Sequence, residues 1–245
     1  MTQEQLRYAL HVIGCGLYSS IEGRTLMLLR FTGMEVKKKT PYGWACSVPV
    51  GLPNGKQQHH HFMLQSWQVQ DMIKQLEYVD SYEAFDVRLE SIQGFKAVDP
   101  LLHRVMFRDY LNMEKYYQGF LATKQERYAL GLAGLLYSLS PSQGGRELTA
   151  IDDAELTNCM MWYSYVKKQF AKVFRHFFKP AAVVPGASPS GVNWLEQMNA
   201  QIRALTDGDI TKENAVLEKD CWRALTELDA KAREAEEFRK KYPKA

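Results

Sequence analysis

Leu6, Leu10, Ile13 and Leu17 recur at three- and four-residue intervals, the spacing that places apolar side chains along one face of a helix. Thr2 with Gln5 three positions later is a capping-box pair, in which each side chain satisfies an orphan amide of the first turn. A helix is therefore expected from the start of the sequence, with Gly23 as its stop. From Met34 the period shortens to two. Trp44, Cys46, Val48 and Val50 share one face of an expected strand over residues 42–50, and the turn-forming run GLPNG (51–55) leads into a second strand over 56–64. Pro49 has no N–H to donate to a ladder, which marks the first strand as an edge. A short helix is expected over 69–78, then a third strand where Phe85, Val87 and Leu89 alternate with Asp86, Arg88 and Glu90.

Beyond Asp99-Pro100, a cap residue followed by proline at the first helical position, the pattern is helical. Three helices fit: 101–121, 125–139 opening on a Thr123/Glu126 capping box, and about 149–178 after the breaker SPSQGG (140–145). In the last of these, Cys159, Trp162 or Tyr163, Val166, Phe170, Val173 and Phe177 form one stripe and Lys168, Lys172, Arg175 and Lys179 another. Asp152, Asp153 and Glu155 at its start and the cations at its end complement the helix dipole. Prolines 180, 185 and 189 with Gly186 and Gly191 resist helix and strand alike. The expected organisation is a helical body over 1–180 with a β insert at about 34–92, a Pro/Gly linker over 181–191 and a C-terminal helical arm over 192–245. The fold class is mainly α with a small hairpin or three-stranded β element, an α+β chain whose body is a helical bundle.

The arm carries two apolar stripes, Trp194, Leu195, Met198, Ile202 and Leu205, and Leu217, Cys221, Leu225, Leu228 and Ala232. As a lone helical hairpin they bury little area, so the arm is expected to dock, either on its own body or on a neighbouring subunit, the second favoured by the tether. Four acid-then-base pairs, Glu227/Lys231, Asp229/Arg233, Glu236/Lys240 and Glu237/Lys241, are spaced to support an exposed helix.

Composition narrows the classes. With 245 residues, 46% hydrophobic and 24% charged, the chain has the makings of a sizeable core. The net charge of +3 gives no global basic field, so nucleic-acid contact would be local. MTQEQLRYAL lacks the layout of a signal peptide, and no apolar run, the longest being the likes of Leu26 to Leu29, nears the roughly 18 residues of a membrane span. The four cysteines, Cys15, Cys46, Cys159 and Cys221, are far apart with no CxxC, as expected of reduced thiols.

Candidate chemistry is sparse. His59 and His61 would share a strand face and reach one ion, but two ligands make no zinc site, and a polar strand face explains them better. Ser164-xx-Lys167 matches the SxxK spacing of serine acylases without its companion elements. GLAGLL (131–136) lacks the strand and spacing of a dinucleotide loop and reads as close helix packing, and HExxH, GxSxG and GK[ST] are absent. No enzyme and no cofactor is expected. Lys37, Lys38 and Lys39 beside Tyr42 and Trp44, together with Lys168, Lys172 and Arg175, are the candidate contacts for nucleic acid or an acidic partner. Lys37–Lys39 equally suits an edge strand guarded against aggregation, and the helix cations suit a solvated face; an interfacial membrane helix fits less well than burial in a folded domain.

Three blocks, NMEKYYQGFLATKQERYALGLAGLLYS (112–138), MMWYSYVKKQFAKVFRHFF (160–178) and IRALTDGDITKENAVLEKDCWRALTELDAKAREAEEF (202–238), resemble virion-morphogenesis proteins encoded among the head and tail genes of tailed phages of gut anaerobes, the crAss-like group included. The likeness lies in aromatic and helical patterning and covers most of the second half of the chain. It implies a non-enzymatic virion protein, assembled in the host bacterial cytoplasm: a head-to-tail connector or neck ring, with portal and other neck or tail proteins as partners, or alternatively a tail-assembly chaperone. A non-specific nucleic-acid-binding protein is the rival from another class. In the ring reading the partner-binding residues are Trp44, Val48 and Val50 on the hairpin and Trp194, Met198, Leu217, Trp222, Leu225 and Leu228 on the arm.

Overall fold

A computed structural model describes residues 1–51, 55, 57–80, 87–137, 148–179 and 194–242. The chain is mainly α with a small β element, and it divides into two units, Met1–Glu90 with Ile151–Trp162, and Ser91–Ala150 with Tyr163–Ala245. This division differs from the expected one: the C-terminal helices count with the second unit instead of forming a separate arm. The Pro/Gly segment over 181–191 lies outside the described residues, as do the SPSQGG breaker and Leu52–Asn54 of the first turn.

In the first unit, the Thr2/Gln5 capping box forms and opens α1, Gln3–Gly14. The helix ends well short of Gly23, leaving Leu17 exposed, and a second capping box, Ser19 with Glu22, starts α2, Ser20–Thr32. Gly23 is interior to α2, where a Cβ would sit 3.2 Å from Val12 of α1; it allows close packing and stops nothing. Gly33, left-handed at φ 65°, ends α2 and turns the chain into the sheet.

Strands β1 (Glu35–Thr40), β2 (Gly43–Gly51) and β3 (Gln57–Gln65) form an antiparallel meander in the order β1-β2-β3. Val36, Cys46 and Phe62 align across it, as do Trp44 and Leu64. That face buries Cys46 with Leu28 and Met34, and Trp44, Phe62 and Leu64 pack around them with Met72 and Ile73 of α3, Ser66–Lys74. The expectation that Pro49 marks an edge strand is corrected, because β2 is central. Pairing with β1 ends at Ser47, however, so Pro49 lies past the end of β1, where a missing N–H breaks no ladder bond. The edges are β1 and β3, and β1, a strand not expected from the sequence, carries Lys37–Lys39. The third strand expected around 85–89 does not form over Val87–Leu89; Leu89 is buried and its N–H donates to Asn158 Oδ1 at 2.8 Å. Phe85 and Asp86 lie outside the described residues.

The second unit opens on a tight hairpin, β4 (Ser91–Ile92) with β5 (Phe95–Lys96). Asp99 does not start a helix. Its Oδ1 accepts from the N–H groups of Leu101 and His103, and Leu102 and Arg104 both take φ of 62°, so α4 begins only at Phe107 and runs to Thr123. The Thr123/Glu126 box is absent as well: Lys124 at φ 57° ends α4, and Gln125 precedes α5, Glu126–Leu136, without a side-chain cap. Gly119 faces the Tyr128 ring and Gly131 the Tyr116 ring, a reciprocal arrangement that draws α4 and α5 together and accounts for one of the glycines in GLAGLL.

Helix α6, Asp153–Val173, contributes residues up to Trp162 to the first unit and the remainder to the second. At its start Asp152 and Glu155 exchange bonds with each other's backbone N–H, and Arg7 bonds both carboxylates, so these acids anchor α1 as well as facing the dipole. Its buried stripe is Cys159, Trp162, Tyr163, Val166, Phe170 and Phe174, whereas Val173, expected inside, is 52% exposed. The 3.6-residue period carries the stripe to Phe174 instead. Helices α7 (Trp194–Thr206), α8 (Glu213–Leu217) and α9 (Cys221–Lys241) complete the unit.

Helix α9 docks on the body of its own chain, one of the two placements expected of the arm. Cys221, Leu225 and Leu228 are buried, Cys221 N–H donates to Val105 O, Phe107 N–H donates to Lys219 O, and Trp222 Nε1 donates to Leu101 O at 2.7 Å. None of the four expected i,i+4 pairs forms. Lys231 pairs with Asp207, Asp229 accepts from the N–H groups of His176 and Phe177, Glu236 pairs with Lys179, and Glu237 with Arg233. Partners outside α9 take Lys231, Asp229 and Glu236, displacing intrahelical pairs worth only about 0.2–0.5 kcal/mol each, while Glu237 pairs within α9 in the reverse, base-then-acid order. Among the described residues no helix is long and apolar enough to cross a membrane.

Candidate functional site

A groove of about 720 Å³ lies in the second unit, walled by α4, α7, α9 and the turn after α6. Its size falls within the range of roughly 300–1,000 Å³ typical of binding sites. Tyr110, Leu111 and Leu228 are buried and make its floor, while Phe177, Phe178, Trp194 and Met198 are half-buried walls. Ala200 and Ala204, four apart on α7, leave the space open.

Polar groups enter at defined places. Glu114 accepts from Tyr163 Oη at 3.2 Å and from Gln118 Nε2 at 2.8 Å, and it forms an ion pair with Lys167. Burial, reinforced by the Glu114 charge, pushes the Tyr110 and Tyr163 phenols well above their ordinary range, so both are neutral. Lys115 sits over the Trp194 ring with Nζ 5.1 Å from its centre, and Lys179 and Lys231 line the groove while bonded to Glu236 and Asp207 outside it. Gln201 Oε1 is buried with no hydrogen-bond partner among the described residues, an acceptor left open in the wall. The groove is thus apolar inside with one acid and four lysines around it, suited to grip an apolar anchor.

Of the partner-binding residues named from sequence, Trp194, Met198 and Leu228 come together in this groove. Trp222 and Leu225 are spent on their own unit: the Trp222 ring stacks on His103 at 4.3 Å and meets Phe170 and Phe174 edge-on. Leu217 is half-buried in α8. On the hairpin, Trp44 packs into the first unit's core with Val48 half-buried beside it, and Val50 alone of the three is exposed.

The candidate basic residues are divided between the two units. Lys37 is ion-paired with Glu35, Lys39 lies over the Trp44 ring at 5.0 Å and Lys38 is exposed, all in the first unit. Lys168, Lys172 and Arg175 belong to the second unit, Lys172 and Arg175 exposed and Lys168 half-buried. His59 and His61 stand on one exposed strand face opposite Pro49 and Ser47, and among the described residues no group of three or more His, Cys, Asp or Glu could hold a metal. Ser164 bonds Tyr117 while Lys167 is held by Glu114, so the SxxK pair is committed to separate partners. Burial pushes the Cys159 and Cys221 thiols up to about 12, which leaves them unreactive.

Glu114, Lys115, Phe178, Ala200 and Gln201 were missed as site residues. Each is ordinary in its own segment and gains its place only when α4, α7, α9 and the turn after α6 meet. No protein-family model matches the chain, and no curated protein and no solved structure matches it.

Proposed function

We propose that the chain is a structural virion protein that forms a head-to-tail connector or neck ring in a tailed bacteriophage, acting by self-assembly and partner docking. The reading is supported first by the resemblance of three blocks to phage morphogenesis proteins. The observation that carries it is the groove: those same blocks supply Glu114, Lys115 and Gln118, then Lys167, Phe177 and Phe178, then Ala204, Leu228 and Lys231 of its lining. The shared patterning therefore builds the buried core of the second unit and also lines an apolar cleft beside it, and such clefts serve to seat another molecule. Nucleic-acid binding has weaker support, because two of its lysines are engaged within the hairpin and its two clusters fall in different units.

The test is the protein's place in purified particles, by mass spectrometry and by localisation in particle images. A fixed copy number at the neck is expected. A protein needed for assembly but missing from the finished particle would instead be a tail-assembly chaperone, and one both absent and dispensable would end the proposal.

A further inference from the structure

We infer that the groove of the second unit receives the C-terminal end of α9 from a second copy of the chain, so that copies join head to tail. The inference rests on the assembly reading and names the partner of the same site.

Two independent features fit one another. The first half of α9 is docked, but from Arg233 onward its residues are exposed, Glu236 excepted. On this free end Phe238 is 65% and Tyr242 58% exposed, four residues apart on one face, with their rings 4.9 Å from centre to centre. A paired aromatic anchor on a projecting helix is the element that helix-in-groove contacts use. The groove supplies the counterpart, apolar walls from Phe178, Trp194 and Met198 around a volume sized for such anchors.

The charges agree. Glu234 lies one turn before Phe238 on the same face and is exposed, and Lys115 at the groove has no ion pair among the described residues. The anchor cannot reach its own groove. Leu228, Lys231 and Ala232 of the same α9 line that groove, and Phe238 lies six residues beyond Ala232, the last of them, about 9 Å further along a helix that does not bend back. A tip and a groove on different parts of one surface make a heterologous contact, which closes into a ring or runs on as a filament. Two aromatic side chains bury about 150–250 Å² each, so a single contact is weak and association depends on concentration until closure adds avidity.

The experiment is sedimentation velocity of the full chain over a concentration series, with circular dichroism to show that each variant is folded. The tip variant carries Phe238→Ser with Tyr242→Ser, and the groove variant carries Ala200→Arg, an exposed lining position. The wild type is expected to gain mass with concentration, and each variant alone to associate at least tenfold more weakly. A one-to-one mixture should form a dimer and nothing larger, because one intact tip and one intact groove remain. A wild type that stays monomeric, a tip variant that associates like the wild type, or folded variants that fail to pair when mixed each overturn it. Failure here with the protein present at the neck leaves the assembly reading standing; pairing by a protein absent from particles does the reverse.

Discussion

Trp222 offers the sharpest test of whether the C-terminal helices belong to their own chain's core. Its indole N–H donates to Leu101 O at 2.7 Å, and its ring lies 4.3 Å from His103, 5.4 Å from Phe170 and 5.3 Å from Phe174. Truncating a core aromatic to alanine costs about 3–5 kcal/mol, and because this side chain is half-buried the low end applies, about 3 kcal/mol. The hydrogen bond accounts for about 1 kcal/mol of that. At roughly 2–4 °C per kcal/mol for a chain of this size, Trp222→Ala should lower the Tm of the transition containing the second unit by about 6–12 °C, and Trp222→Phe, which keeps most of the ring, by about 2–4 °C. Scanning calorimetry reads both, and limited proteolysis should show residues 194–242 cut sooner in the alanine variant. A Tm within about 2 °C of wild type for Trp222→Ala would refute docking in cis.

Three further outcomes follow from the packing. Gly131→Val drives a side chain into the Tyr116 ring, 2.7 Å from where a Cβ would stand, and is expected to cost about 1–3 kcal/mol in denaturant melts, whereas Gly134→Ala, with open space around it, should be neutral or stabilising. Ser47 is fully buried with its hydroxyl unpartnered among the described residues, so Ser47→Ala should stabilise the protein by about 1 kcal/mol, read as a higher urea midpoint; a lower midpoint would mean that the hydroxyl has a partner. Lys179, and secondarily His176, hold the Glu236 carboxyl below its ordinary value. A depressed carboxylate stabilises the fold above its unfolded value and loses that stabilisation as pH falls through its folded value, so Glu236→Gln should flatten the decline in stability between about pH 5 and pH 3.

Local signals were legible wherever a single segment satisfied them. The Thr2/Gln5 cap and the Trp44–Cys46–Val48 face depend on neighbours two to four residues away. The same kind of reasoning failed where a distant group competed. Asp99 looked like a helix cap but closes a turn on Leu101 and His103, and the acids of α9 looked intrahelical but bond Lys179 and the backbone at His176. Gly23 looked like a stop because nothing nearby reveals that α1 lies against it.

What the sequence determined by itself is therefore the material: mainly helical segments, one short meander, no span long enough for a membrane, and which faces are apolar. Tertiary structure alone decided that α9 folds onto α4, that α4, α7 and α9 leave a cleft between them, and that Phe238 and Tyr242 stay outside. Helix periodicity is written in local spacing, but which apolar faces meet depends on loop geometry and on total buried area, quantities summed over segments more than a hundred residues apart.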